Sequence, residues 1–188
     1  MNYIAHSLIS LEKDKKTLFG NFSGDFYKGK VEQLKLPSNV LSGIILHRHI
    51  DTLTDTNNKL VSEIDNKYGH YKGIMSDIFI DHYVSLNIEK LTNNCKLKDV
   101  TDEIISEVDM YERYYTARFS ELYKWIKYND ILNKYKDIKT LKLVFNGISK
   151  RVRNGEILNF AVDELERNYK RYEEIAIMEF LRVKREVK

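Results

Sequence analysis

One proline and eight glycines in a chain of 188 residues leave little to interrupt a helix. Proline inside a helix removes a hydrogen bond and clashes with the preceding turn, and glycine costs about 1 kcal/mol against alanine, so their scarcity permits long helices. Abundant Leu, Ile, Lys and Glu point the same way, and the fold expected is all-α. No Pro/Gly/Ser-rich linker divides the sequence, and its length suffices for one sizeable core. A single-domain helical bundle over residues 1–188 follows.

Within that bundle the stretch Gly43-Ile44-Ile45-Leu46-His47-Arg48-His49-Ile50-Asp51-Thr52-Leu53-Thr54-Asp55 carries the densest chemistry. As a strand it separates nothing, because alternation mixes Ile44, Leu46 and Arg48 on one face with Ile45, His47 and His49 on the other. As a helix it places His47, Asp51 and Asp55 on one stripe at i, i+4 and i+8, beside an apolar stripe of Leu46, Ile50 and Leu53. Ionisable groups beside a core cost several kcal/mol unless they pair or bind a metal. The bland reading of the same residues is a surface salt bridge from Arg48 to Asp51 or Asp55.

Residues 2–10 read as a short helix with Ile4, Leu8 and Leu11 inward and His6 near that face. Leu18, Phe22 and Phe26, four apart, predict a helix over 14–28 with Gly29 as its stop. That helix carries Asn21 and Asp25 at i, i+4, with Lys28 one turn after Gly24. Pro37 suits a first helical turn, so the central helix spans about 38–56. A short helix over 58–67 leads to a glycine turn at Tyr68–Gly73, decorated by His70. From Ile74 to Leu91 the pattern is again helical. There Asp77 and Asp81, with His82 alongside, interrupt an apolar face where a structural helix would place Ala or Leu. Helices over 97–118, 119–135, 138–150 and 156–184 complete the chain, with Asn154-Gly155 as a separating turn. The basic run Lys150-Arg151-Val152-Arg153 has an ordinary explanation as a helix end complementing its dipole.

Several classes are disfavoured. A net charge of +3, with lysines interspersed among acids, is not the footprint of a dedicated nucleic-acid binder. Cys95 has no second cysteine to pair with, which fits a reducing compartment. No apolar run approaches the roughly 18 residues of a membrane span, so a cytoplasmic protein without a membrane partner is expected. The thirteen tyrosines suit amphipathic rim packing better than base stacking.

His6, Asp25, His47, Asp51, Asp77, Asp81 and His82 therefore form the candidate constellation. Imidazole with carboxylate suits Mn²⁺, Fe²⁺ or Mg²⁺, and helical bundles build such sites from inward side chains. The candidate ligands are His6, Asp25, His47, Asp77, Asp81 and His82, and Asp25, Arg48 and Asp51 are the candidate catalytic groups. Such a site suits phosphoester hydrolysis, with Arg48 and Lys28 holding phosphate oxygens. Asn21, Lys28, Arg151 and Arg153 make up the candidate substrate-binding set.

At these residues the chain resembles the acyl carrier protein phosphodiesterases. The matching pieces are Asn2-Tyr3-Ile4-Ala5-His6, Gly20-Asn21-Phe22-Ser23-Gly24-Asp25-Phe26 with Lys28-Gly29, and Gly43 to Asp55. Further along come Gly73-Ile74-Met75-Ser76-Asp77-Ile78-Phe79 with Asp81-His82, and Gly147-Ile148 followed by Arg151. The resemblance implies removal of 4′-phosphopantetheine from holo-acyl carrier protein with Mn²⁺, on a fold similar to the HD phosphohydrolases. The sequence itself has no His-Asp doublet, only the reversed Asp81-His82. An acidic carrier-protein partner implies basic residues around the mouth of the site, among them Lys28, Lys30, Lys150, Arg151 and Arg153. The alternatives are a phosphohydrolase of a nucleotide or other small phosphoester, and a non-catalytic helical interaction protein.

Overall fold

The computed structural model describes residues 1–187, among which there is no β-strand. The α-helices, in chain order, begin with α1 (Tyr3–Lys13), α2 (Leu18–Ser23), α3 (Ser38–Asp55), α4 (Lys59–Glu63), α5 (Lys72–Leu86) and α6 (Ile88–Leu91). They continue as α7 (Leu97–Asp109), α8 (Ala117–Tyr128), α9 (Ile131–Lys134), α10 (Ile138–Ser149), α11 (Ala161–Arg167) and α12 (Tyr169–Glu186). No helix among the described residues is long and apolar enough to cross a membrane.

The central pair is α2 crossing α3, and glycine is what permits it. A Cβ on Gly20 would lie 2.1 Å from the Val40 carbonyl oxygen, and one on Gly43 would lie 2.2 Å from the Thr17 carbonyl oxygen. The two backbones therefore touch where any other residue would separate them. The buried stripe of α3 runs Val40, Gly43, Ile44, His47, Ile50 and Thr54. His47 thus occupies a core position, one register over from the stripe expected of Leu46, Ile50 and Leu53, of which only Ile50 is fully buried.

α1 packs on α2 and on α5, and α12 lies along α5. The start of α1 is fixed by a distant carboxylate: Asp81 on α5 accepts the backbone N–H of Asn2 at 3.1 Å, Ile4 at 2.8 Å and Ala5 at 3.2 Å. Those are donors that a helix N-terminus cannot satisfy internally, and a carboxylate there also complements the dipole.

The expected helix over 14–28 is broken. A 3-10 turn at Lys15–Thr17 precedes the six-residue α2, and a second one at Gly24–Phe26 follows it. The expected stop stands at Gly29, whose φ of +88° is left-handed. The expected helices over 97–118 and 156–184 are also divided, near Met110 and at Asn168. The Asn168 side chain there donates to the Glu164 carbonyl at 3.1 Å. Left-handed turns fall at Asn57, Asn93, Asn94, Asp130 and Asn154, so asparagine and aspartate do much of the punctuation that proline does not.

The tyrosines are less peripheral than expected. Tyr68, Tyr83, Tyr135 and Tyr172 are fully buried. Their kind ties loops down: Tyr27 donates to the Tyr114 carbonyl at 2.6 Å, Tyr68 to Phe160 at 2.9 Å and Tyr83 to Tyr169 at 2.7 Å. Each ring fills core while its hydroxyl satisfies a carbonyl outside helical bonding.

Candidate metal centre

The segment from Gly20 to Asp25 brings three helices to one point. Asn21, fully buried on α2, donates from its amide nitrogen to the His6 carbonyl at 2.7 Å and to Ser10 Oγ at 2.9 Å. Its amide oxygen then faces His6 Nδ1 at 2.8 Å and can only accept, which places the His6 proton on Nδ1. The backbone carbonyl of the same Asn21 accepts from His47 Nδ1 at 2.7 Å. One residue thus orients both rings through Nδ1, and both Nε2 atoms turn towards a common space. Gly24 supplies the room, since a Cβ there would stand 2.4 Å from His47 Cγ.

The two imidazole rings lie 4.5 Å apart, and neither buried Nε2 has a well-formed hydrogen bond. Asp51, one turn after His47, sets Oδ1 3.3 Å from His6 Nε2 and Oδ2 3.1 Å from His47 Nε2. Donor atoms of His6, His47 and Asp51 all fall within 4.8 Å of one another. Asp25, exposed at the rim, stands 3.6 Å from His47 Nε2.

Electrostatics divide the two imidazoles. Burial disfavours charge on both, and His6 is held below the ordinary histidine range. At His47 the Asp25 and Asp51 carboxylates override burial and raise the pKa to about 9. Asp51 responds in the opposite sense: burial alone would raise it, but the two imidazoles hold it well below the usual carboxylate range. Asp25 is lowered chiefly by its contact with His47.

Other sequence candidates lie elsewhere. Asp77 pairs with the α-ammonium group of Met1 at 2.5 Å. Asp81 is spent on the start of α1, and burial pushes its carboxyl up to about 7 against the N–H donors it accepts. His82 donates from Nδ1 to the Tyr135 carbonyl at 2.9 Å and accepts the Tyr169 hydroxyl at Nε2 at 2.8 Å, leaving no lone pair for an ion. Asn21 orients ligands from inside the core and presents nothing to a substrate. Arg48 donates to the Tyr27 carbonyl at 2.9 Å, tying the turn after Asp25 to α3. Asp55, Lys28, Arg151 and Arg153 are exposed, and the Arg153 carbonyl accepts the Tyr71 hydroxyl. Two contributors were absent from the sequence constellation: Gly24, signalled only as a glycine beside Asp25, and Tyr3, whose ring packs 4.8 Å from Phe22 beside the cluster.

Fold and site together define an all-α protein with a preformed His–His–Asp cluster. The chain belongs to the acyl carrier protein phosphodiesterase family, whose sequence model matches residues 1–182. Similar proteins named acyl carrier protein phosphodiesterase occur in Photorhabdus laumondii, with 28% identity over 172 residues covering 90% of this chain and 86% of the relative. The Yersinia pestis relative is 27% identical over 179 residues, covering 93% and 91%. That of Enterobacter sp. strain 638 is 28% identical over 173 residues, covering 90% and 88%. No solved structure matches the chain.

Proposed function

We propose that this protein is a metal-dependent phosphodiesterase that hydrolyses 4′-phosphopantetheine from holo-acyl carrier protein, releasing the apo protein in the cytoplasm. The observation that carries the reading is the convergence of the buried His6 and His47 Nε2 atoms on one ionised carboxylate, Asp51, in a chain of this family. The neutral His6 Nε2 sets its lone pair 3.3 Å from an Asp51 oxygen, an arrangement that costs stability unless a cation lies between them. The donor set of His6, His47 and Asp51, with Asp25 beside it, favours Mn²⁺ or Fe²⁺ over Mg²⁺, which prefers all-oxygen coordination.

A divalent ion held there supplies Lewis acidity towards a phosphoryl oxygen and lowers the pKa of water. The protein's own groups do the rest. Asn21 keeps both imidazoles in the liganding tautomer, as outer partners of metal ligands do. Asp25, ionised and open to solvent, takes a proton from the attacking water, with Lys28 nearby on the same rim. Arg48 acts by holding the Tyr27 carbonyl, and so the Asp25 turn, in place. In the reaction the water oxygen bonds to phosphorus and the bond from phosphorus to the carrier serine oxygen breaks. A water proton ends on that serine.

Mass spectrometry of holo-acyl carrier protein incubated with enzyme and Mn²⁺ is expected to show loss of the phosphopantetheinyl group. A chelator in place of Mn²⁺ is expected to leave the mass unchanged. An unaltered mass with the ion bound would reject the substrate.

Ion binding itself has a predicted pH dependence. In the ion-free protein His47 carries a proton below about 9, whereas His6 is already neutral, so binding releases one proton. Apparent affinity for Mn²⁺ therefore falls as pH falls from 8 to 7, by about tenfold. Calorimetric titrations at three pH values measure the slope; a flat profile would remove His47 from the ligand set.

A further inference from the structure

Between α8 and α10 lies a solvent-open cleft of about 180 Å³. Its walls are apolar, with Leu122, Trp125, Ile131, Val144 and Ile148, and Arg151 belongs to its lining. A small recess lined by His6, Phe22, Asp25 and His47 shares Asn2 and Tyr3 with this cleft. Asn2 and Tyr3 thus border both spaces. Asn2 is held there by donating to the Tyr135 hydroxyl at 3.0 Å. Burial, and after it the Asp25 and Asp81 carboxylates, push the Tyr3 hydroxyl pKa up, and Arg151 partly offsets them. A neighbouring recess lined by Phe26, Arg118, Trp125 and Arg151 brings a second guanidinium to the same entrance.

We propose that this cleft receives the pantetheine arm of the substrate, with the branched aliphatic body against Leu122, Trp125 and Ile148 and the phosphate passing Tyr3 to the His–His–Asp cluster. The proposal rests on the reading above that the substrate carries phosphopantetheine. Charge and polarity both select this occupant. A nucleobase presents donors and acceptors around the edge of a flat ring, whereas the walls here are mainly aliphatic with one indole, their polar groups being Asn2, Tyr3, Tyr135 and Arg151. The arm joins a gem-dimethyl segment, a hydroxyl and two amides to an anionic phosphate, and the cleft matches it with aliphatic walls, the polar groups of Asn2, Tyr3 and Tyr135, and Arg151 and Arg118 for the anion.

Gly147 provides the test. It lines the cleft from α10, and a Cβ there meets nothing closer than the Arg151 guanidinium at 3.9 Å, so Gly147→Leu fills the space without moving backbone. Trp125 is the single tryptophan of the chain and reports occupancy by its fluorescence. Free 4′-phosphopantetheine is expected to change that fluorescence saturably, and inorganic phosphate is not. Gly147→Leu should weaken this binding and raise KM for holo-acyl carrier protein, each by about tenfold or more. Turnover of bis(p-nitrophenyl) phosphate, which needs only the cluster, should stay unchanged. Should Gly147→Leu not fold, Leu122→Ala, a half-buried wall residue, is expected to weaken the same two quantities. A Trp125 signal indifferent to 4′-phosphopantetheine, or variants with wild-type affinity, would overturn the assignment. Binding at Trp125 without hydrolysis of the carrier protein would leave the cleft standing and reject the proposed function; hydrolysis with a silent Trp125 would do the reverse.

Discussion

His47→Ala is expected to lose stoichiometric Mn²⁺ and to lower hydrolysis by far more than the roughly 10–100-fold that removal of an outer partner of a ligand costs. Helical content should be unchanged. His47 Nε2 is one of the two imidazole nitrogens that face Asp51, and without it His6 and Asp51 remain as a two-residue site. The fold tolerates the loss because Asp51 keeps contact with His6 and with solvent, its side chain being 39% exposed. A companion variant separates this site from the reversed Asp81-His82 pair. His82→Ala should retain ion and activity yet lose roughly 1–3 kcal/mol, because the Tyr135 carbonyl and Tyr169 hydroxyl lose their partner. Metal analysis, activity and thermal melting of the two variants give opposite patterns if the cluster is correct. Full activity in His47→Ala, or metal loss in His82→Ala, would place the site elsewhere.

The largest effect on stability is expected from Gly43→Ala. The added Cβ would meet the Thr17 carbonyl oxygen at 2.2 Å and the Gly20 Cα at 2.8 Å, both backbone atoms with no rotamer by which to withdraw. α2 and α3 must then move apart, and overpacking of this kind costs about 3 kcal/mol or more, roughly 6–12 °C in Tm for a chain of this size. Because Asn21 adjoins the crossing, ion affinity should fall with stability. Gly73→Ala is the internal control: its Cβ meets nothing within 4 Å, and alanine suits the first turn of α5. That variant should melt at or slightly above the wild-type temperature. Equal behaviour of the two variants would mean that the crossing is looser than described.

How far the sequence could be read follows from which forces are local. The all-α class was legible because breaker scarcity and apolar periodicity act within a few residues. α3 was placed to within a residue, Ser38–Asp55 against an expected span of about 38–56, since Pro37 and the polar break after Asp55 bracket it. The pair His47 and Asp51 was visible for the same reason, as neighbours on one turn. Roles decided by distant partners were not visible. Asp81 and His82 interrupt an apolar face as ligands would, but their partners lie at residues 2–5, 135 and 169, far along the chain. Asn21 looked like a substrate contact because its spacing from Asp25 was helical, whereas the 3-10 turn at Gly24–Phe26 turns Asp25 to the rim and leaves Asn21 in the core.

The anchoring of α1 has a consequence for the order in which a growing polypeptide becomes competent. His6, Asn21, His47 and Asp51 are all joined to the chain within the first third of synthesis, yet the carboxylate that fixes the N-terminal turn of α1 belongs to residue 81. Until α5 has emerged, the first imidazole hangs on a helix with nothing satisfying its opening N–H groups. The cluster therefore closes late although its donors are made early, and a nascent chain that stops before α5 carries every ligand without the geometry to hold an ion. Vectorial synthesis thus delays closure of the cluster until α1 to α5, a little under half of the chain, have all been made.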